Sequence, residues 1–468
     1  MYKKIAAGAG AVLIAGAIAF NLSPIGRVYL HSGTGIVAKQ TCSLTFVTGL
    51  ESERAQNLYV RPLLGAAADF ISVNIDEEDR EVRTSILGLW GKRAVYRDGL
   101  GCSLVHNRRN FDDTATAPMA QPHDTMALNI DHRDANFDGA ALDAAVDAAF
   151  ADPEWGPRNT LGIAILHRGE LVAERYAEGL SAETRFHGWS MTKSFATTLA
   201  GVLEYQGRVD TRATGSVPAL AEDRADITIE HLLRMTGGLA IAETNTGTDP
   251  TSEMLFNRGD MAHYAATRRR LHAPGEHWQY MSGNTVLANH AMQHVLGDTL
   301  EEQIAGVRAA LFEPLGMNTA VIEVDESGTM QGSSYMYATT HDWARLALLY
   351  ANDGMVDGER LFAEDWADRV ATPTAASQGD YGMGFWIPNS DSGLPSDAYM
   401  MNGFQGQNAM ILTQDELVIV RFGASNGISS GTYELTRSVV AARREAELPV
   451  VETGATDVAE EALPDEQN

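Results

Sequence analysis

An α/β part joined to an all-α part is the fold class this sequence predicts, and the spacing of its strand-like runs is what predicts it. Leu161 to Leu166 and Leu171 to Tyr176 are apolar and β-compatible, with Arg168-Gly169 as a turn between them. Strand-like runs return at Gly384 to Ile387, Ala409 to Thr413 and Leu417 to Phe422, the last two joined by a tight turn at Gln414-Asp415. Between about residues 190 and 375 the pattern is mostly helical, including Ile229 to Met235, Asn284 to Val295 and His341 to Asn352. Helical stretches also stand at both ends, Ala140 to Phe150 and Tyr433 to Glu445.

From the N-terminus onward, the first segment reads as a targeting sequence. Lys3 and Lys4 precede an apolar run from Ile5 to Phe20, with Ala17-Ile18-Ala19 as a weak cleavage site. Residues 1–24 are expected to be a signal peptide or an uncleaved transmembrane anchor, since about 20 apolar residues cross a bilayer. Either places the rest outside the cytoplasm, in the periplasm or anchored facing it. Residues 28–115 are expected to form a small accessory unit. Its runs Leu44–Val47, Phe70–Ile75, Val82–Leu87 and Arg93–Tyr96 read as short strands. Cys42 and Cys102 are the only cysteines, and an even pair in an exported chain suggests a disulfide. Residues 116–134 read as a linker and 135–447 as the catalytic domain. Residues 448–468 form an acidic tail without aromatics, of disordered composition.

Ser190-Met191-Thr192-Lys193 carries the chemistry. A lysine three residues after a serine on a helix lies one turn away on the same face. A serine hydroxyl needs a nearby base to become a nucleophile. A buried lysine can be that base, because burial favours the neutral amine. The chain has only five lysines, and this is its one Ser-x-x-Lys. Read locally, Ser190 is equally a helix N-cap with a surface lysine beside it.

The neighbourhood decides between the two. His187-Gly188-Trp189-Ser190-Met191-Thr192-Lys193-Ser194 is followed by Ile227 to Leu239, containing His231-Leu232-Leu233-Arg234-Met235-Thr236-Gly237-Gly238. Pro274-Gly275-Glu276-His277-Trp278-Gln279-Tyr280-Met281-Ser282-Gly283-Asn284 comes next, then Ala338 to Arg345, Tyr381 to Trp386, and Gly403-Phe404-Gln405-Gly406-Gln407. In this order, over roughly residues 135 to 445, these pieces resemble the serine β-lactamase and penicillin-binding-protein superfamily. More narrowly they are similar to the branch of class C β-lactamases, EstB-type esterases and 6-aminohexanoate-dimer hydrolases. The resemblance implies a β-lactamase/transpeptidase-like fold: an antiparallel sheet flanked by N- and C-terminal helices, with a helical insertion between strands and the active site in the cleft between the two parts.

It also implies roles. Ser190 would be acylated, Lys193 would take its proton, and Tyr280 would act as acid and base, its pKa lowered by the neighbouring lysine. The oxyanion hole would be the backbone N–H groups of Ser190 and Gln407. The third motif of the penicillin-recognising members begins with a lysine, whereas the matching place here is Phe404-Gln405-Gly406. The missing cation counts against carboxylate-bearing β-lactam and D-Ala-D-Ala substrates. The asparagine of the second motif is Ser282 here, with Asn284 two residues on. Ser282, Asn284, Phe404, Gln405 and Gly406 are therefore the expected substrate contacts, and His187 and His277 are expected to be structural.

Other chemistries lack their signatures. There is no Gly-x-Ser-x-Gly, His-Glu-x-x-His, Gly-x-x-x-x-Gly-Lys or Cys-x-x-Cys, so no metal or other cofactor is called for. A net charge of −27 over 468 residues argues against nucleic acid or an anionic membrane surface as a partner. The expectation is an exported serine hydrolase acting on a small-molecule ester or amide, with possible inner-membrane attachment through its N-terminal segment. The alternatives are a β-lactamase or DD-peptidase, and a non-catalytic binding protein or acylated sensor of the same fold.

Overall fold

The computed structural model describes residues 23–107, 111–119, 126–154, 156–426 and 429–444. The apolar run from Ile5 to Phe20, part of the linker and the acidic tail lie outside the described residues.

Helix α1 (Pro24–Phe46) opens the described chain, with the Ser23 hydroxyl accepting from the Gly26 N–H at 3.0 Å as its cap. It lies across a four-stranded antiparallel sheet, β1 (Ile71–Asp76), β2 (Glu81–Ile86), β3 (Leu89–Arg97) and β4 (Gly101–Leu104), in that order. Three of the four expected strand runs fall on this sheet. The fourth, Leu44–Val47, is instead the end of α1 and its cap. A four-residue run has no period of its own, and here the helix that precedes it continues through it.

The transmembrane reading is corrected to this: among the described residues no helix is long and apolar enough to cross a bilayer. The Ile5–Phe20 run, on which attachment through the N-terminal segment was expected, lies outside the described residues.

After α2 (Gly139–Phe150) come β5 (Thr160–His167) and β6 (Glu170–Tyr176), a hairpin closed by Arg168 and Gly169, both at positive φ. The helical part includes α3 (Met191–Tyr205), α4 (Pro250–Asn257), α5 (Ser282–Leu296) and α6 (Thr340–Ala351). The chain then returns to the sheet as β7 (Tyr399–Gly403), β8 (Gln407–Leu412) and β9 (Leu417–Gly423), and closes with α7 (Thr432–Ala441). The five-stranded sheet has the order β7-β8-β9-β5-β6, every neighbour antiparallel. Its central strands are apolar without alternation because both faces are covered. Ile163, Ile165 and Ile419 pack with Leu142, Val146, Leu435 and Val439 of the two terminal helices. Ala164, Leu166, Val418 and Val420 face the helical part. Each fully buried Leu, Ile or Val contributes about 1.5–3 kcal/mol.

The run Gly384–Ile387 is not a strand. Gly384 sits at φ +74, and only Trp386 bridges to Met400 of β7. The edge strand is β7 itself, whose Tyr-Met-Met-Asn-Gly sequence lacks β-branched residues to mark it.

The N-terminal sheet and α1 share one core with the helical part. The Cys42–Cys102 disulfide joins α1 to β4 across 6.1 Å between Cα atoms. Beside it, buried Lys39 on α1 pairs with buried Glu323, whose carboxylate also accepts from the Cys102 N–H at 2.7 Å and the Ser43 hydroxyl at 2.9 Å.

Candidate active site

The segment leading into α3 is held tightly. Phe186 and His187 pair with Ala338 and Tyr337, and the Gly188 N–H donates to the Met336 carbonyl at 2.9 Å. A side chain on Gly188 would run into Trp343, at 2.3 Å. Trp189 then takes φ +48, a region costing a bulky residue about 1–3 kcal/mol. Two bonds hold it there: the Thr192 hydroxyl donates to its carbonyl at 2.6 Å, and its indole N–H donates to Gln405 Oε1 at 3.1 Å. The sharp turn presents Ser190, part-exposed, at the N-terminus of α3.

Lys193 sits one turn in, with 1 % of its surface exposed. Its Nζ donates to Ser190 Oγ at 3.0 Å, Ser282 Oγ at 3.1 Å and the Ser333 carbonyl at 2.9 Å. None of these acceptors is a carboxylate. Burial accordingly lowers its pKa to about 8, with Glu243 pulling the other way. Glu243 bonds elsewhere, its Oε2 accepting from the Ser282 N–H at 2.6 Å.

Tyr280 places its ring 4.8 Å from Lys193 Nζ, with Trp386 at 5.3 Å and Tyr381 at 5.8 Å between ring centroids. The expected lowering of its pKa is not found. Burial, Tyr381 and Glu243 push the phenol well above its usual value, and hydrogen bonding to Ser190 and Trp386 only partly offsets them. The physical reason is burial, which penalises the phenolate more than its surroundings stabilise it. The trio can therefore pass protons with neutral Lys193 as acceptor and un-ionised Tyr280 as donor.

The remaining expected residues separate into two groups. Ser282 is buried and touches Lys193 directly. Phe404 is 45 % exposed on the cleft wall, edge-on to Trp189 at 5.5 Å. Asn284 is buried and is not among the three acceptors of Lys193, its amide nitrogen lying 4.0 Å from Met235 sulfur. Gln405 is buried, its amide donating to the Tyr59 carbonyl at 3.2 Å and Asn426 at 2.8 Å. Gly406 faces Arg421, which donates to its carbonyl at 2.7 Å. Gln407 is buried beside Gly403, its amide donating to the Phe404 and Gly423 carbonyls.

Of the expected third-motif residues Phe404 lines the cleft, together with Asn402 and Gly403 just before it, so the lining starts two residues ahead of Phe404-Gln405-Gly406. Gly403 is where strand and serine turn meet, since a Cβ there would lie 2.3 Å from the Gly188 carbonyl oxygen. His187 is buried with a pKa lowered to about 3 by burial, so its neutral ring donates from Nε2 to the Ser334 carbonyl at 2.6 Å. His277 is exposed and stacks on His272.

A cavity of about 370 Å³ opens over Ser190, within the range of small-molecule sites. Glu243 and Tyr280 line it, and among the described residues no lysine or arginine lines it. Sequence reasoning missed Glu243, which no motif marks. It also missed that Tyr29, Ile36, Leu63 and Leu64 of the N-terminal segment line the same cavity.

A family model described as Beta-lactamase matches residues 146–442. The 6-aminohexanoate-dimer hydrolase of Paenarthrobacter ureafaciens is 25% identical over 288 residues, covering 56% of this chain and 71% of that protein. Among solved structures, a Bacillus anthracis protein assigned as a 6-aminohexanoate-dimer hydrolase superposes with a TM-score of 0.54 at 19% identity, over 69% of this chain and 88% of that one. A family VIII carboxylesterase superposes with a TM-score of 0.52 at 15% identity, over 65% of this chain and 97% of that one. At such identities the structural likeness is one of fold.

Proposed function

This chain belongs to the Beta-lactamase family, and we propose that it is a serine hydrolase opening a neutral ester or small amide through an acyl-enzyme on Ser190. The observation that carries this reading is a buried Lys193 amine, 3.0 Å from Ser190 Oγ and without a carboxylate partner.

In the first half-reaction neutral Lys193 takes the Ser190 proton as Oγ attacks the carbonyl carbon. The developing oxyanion is held by the backbone N–H groups of Ser190 and Phe404. Phe404 replaces Gln407 in this role because it lies on the cleft wall. Each such donor contributes about 3 kcal/mol. Tyr280 gives its proton to the leaving oxygen or nitrogen and regains one from protonated Lys193. Water then attacks the acyl carbonyl, losing its proton to the same pair, and Ser190 leaves as the hydroxyl.

Glu243 on the cleft wall, with no lysine or arginine among the described lining residues, disfavours substrates carrying a carboxylate beside the scissile bond. This supports an esterase or amidase over a β-lactamase or DD-peptidase. We place the protein in an oxidising compartment outside the cytoplasm, on the strength of the Cys42–Cys102 bond.

The test is intact-mass spectrometry after incubation with a fluorophosphonate, comparing wild type with Ser190→Ala, alongside turnover of p-nitrophenyl acetate, p-nitrophenyl butyrate and nitrocefin. An adduct that vanishes in Ser190→Ala, with ester turnover and little nitrocefin hydrolysis, is expected. No adduct on folded wild type would overturn the nucleophile, and nitrocefin turnover matching the esters would overturn the substrate class.

A further inference from the structure

The part of the chain outside the family match builds one wall of the cleft. The match begins at residue 146, yet Tyr29, Gly33 and Ile36 of α1 and Leu63 and Leu64 of the helical turn Arg61–Leu64 line the cavity that holds Ser190. Leu255 and Phe256 of α4 line it too. Apart from the Tyr29 hydroxyl, the side chains of these residues are apolar. Ser32, also on this wall, has its hydroxyl engaged by Asn257 Nδ2 at 2.9 Å.

Two glycines on α1 separate packing from access. At Gly35 an added Cβ would stand 2.9 Å from Phe256 Cβ and 3.0 Å from its carbonyl oxygen, so this glycine lets α1 and α4 touch. At Gly33 an added Cβ would meet nothing within 4 Å. A glycine inside a helix is destabilising relative to alanine. No contact in the fold requires Gly33, and the space it leaves belongs to the cavity.

We propose that α1 and the Leu63-Leu64 turn are the specificity wall of this hydrolase, and that the cleft takes an ester with an extended, uncharged apolar chain on one side of the scissile bond. This rests on the serine-hydrolase reading above. Gly33 keeps the channel open, and Ile36, Leu63 and Leu64 supply its apolar lining. An added methylene in such a pocket is worth roughly tenfold or more in kcat/KM.

The experiment compares wild type, Gly33→Leu and Ile36→Ala on two ester series. One lengthens the acyl chain of p-nitrophenyl esters from acetate to decanoate. The other lengthens the alcohol of alkyl acetates from methyl to octyl. The readout is the ratio of kcat/KM for the longest to the shortest ester. Inactivation rates by fluorophosphonates with ethyl and decyl chains give the same ratio without turnover.

In wild type the ratio is expected to exceed tenfold in one series, which identifies the side the chain occupies. Gly33→Leu should lower that ratio at least tenfold, and Ile36→Ala should move the optimum to a different length. Ratios unchanged in both variants would overturn the wall, even where Ser190-dependent labelling and acetate turnover persist. Loss of all labelling in wild type would instead overturn the hydrolase reading and the wall with it. Misfolding of a variant would lower short and long esters together, so the ratio keeps the two effects apart.

Discussion

Glu243 and Lys193 are joined through Ser282 rather than to each other. The carboxylate accepts from the Ser282 N–H, while the amine donates to the Ser282 hydroxyl. The acid raises the lysine's pKa through space without forming an ion pair that would fix the charge. The balance between burial and this one carboxylate leaves the amine near 8.

Ester hydrolysis should therefore climb with pH. The active form is the neutral amine, so kcat/KM is expected to rise through about pH 8 and level above it, with about a tenth of the plateau at pH 7. A pH–rate profile from 6 to 9.5 checks this. A profile flat across that range would remove Lys193 as the base.

Glu243→Gln should move the rising limb to lower pH. The amide keeps an oxygen for the Ser282 N–H but loses the charge that favours protonated Lys193. The expected variant is more active than wild type at pH 6.5 relative to its own plateau. A limb unmoved or shifted upward contradicts the electrostatic link.

Lys193→Arg should be as inactive as Lys193→Met, each down roughly 10³-fold or more. A guanidinium keeps the charge but does not give up its proton in this pH range. Recovery of more than a few per cent of turnover in Lys193→Arg would show that charge, not basicity, is what the site needs.

Tyr280→Phe should lower kcat by about 10²–10⁴-fold, the usual cost of losing a general acid. Fluorophosphonate labelling should fall less, because fluoride leaves without a proton. Equal losses in the two assays would assign Tyr280 to substrate positioning.

Gly403→Ala should cost about 1–3 kcal/mol of stability and most of the turnover, since the new Cβ meets the Gly188 carbonyl. Gly406→Ala, at φ +82 and against Arg421 and Ser430, should also cost stability but leaves the Gly188 carbonyl clear, so its folded fraction should retain more activity. Ester rates normalised to the folded fraction from urea melts separate the positions.

The Ser190–Lys193 pair was legible because three residues on a helix is a local relationship that needs no tertiary knowledge. Tyr280 and Ser282 were legible from motif order, and the structure brings both to Lys193. The third motif was only partly legible, with Phe404 on the cleft but Gly403 rather than Gly406 beside it, because its glycines look alike in one dimension. Only the hairpin loop Phe404-Gln405-Gly406, with Gln405 at φ +61, shows which of them faces the cleft. Leu44–Val47 gave a strand reading because a stretch of four residues is too short to carry a period. The N-terminal wall was not legible at all. Tyr29 and Ile36 meet the cavity through long-range packing, and nothing local in α1 records what it packs against.

The shared core has a consequence for how such an enzyme changes over generations. The residues proposed to break the bond and those proposed to select what enters come from separate stretches of one chain, yet both stretches share one buried core. Drift in α1 can retune what is admitted while the reacting trio stays untouched, but it cannot be lost outright without unseating the scaffold that holds the trio. Selection can thus adjust appetite independently of chemistry, within limits set by the glue between them.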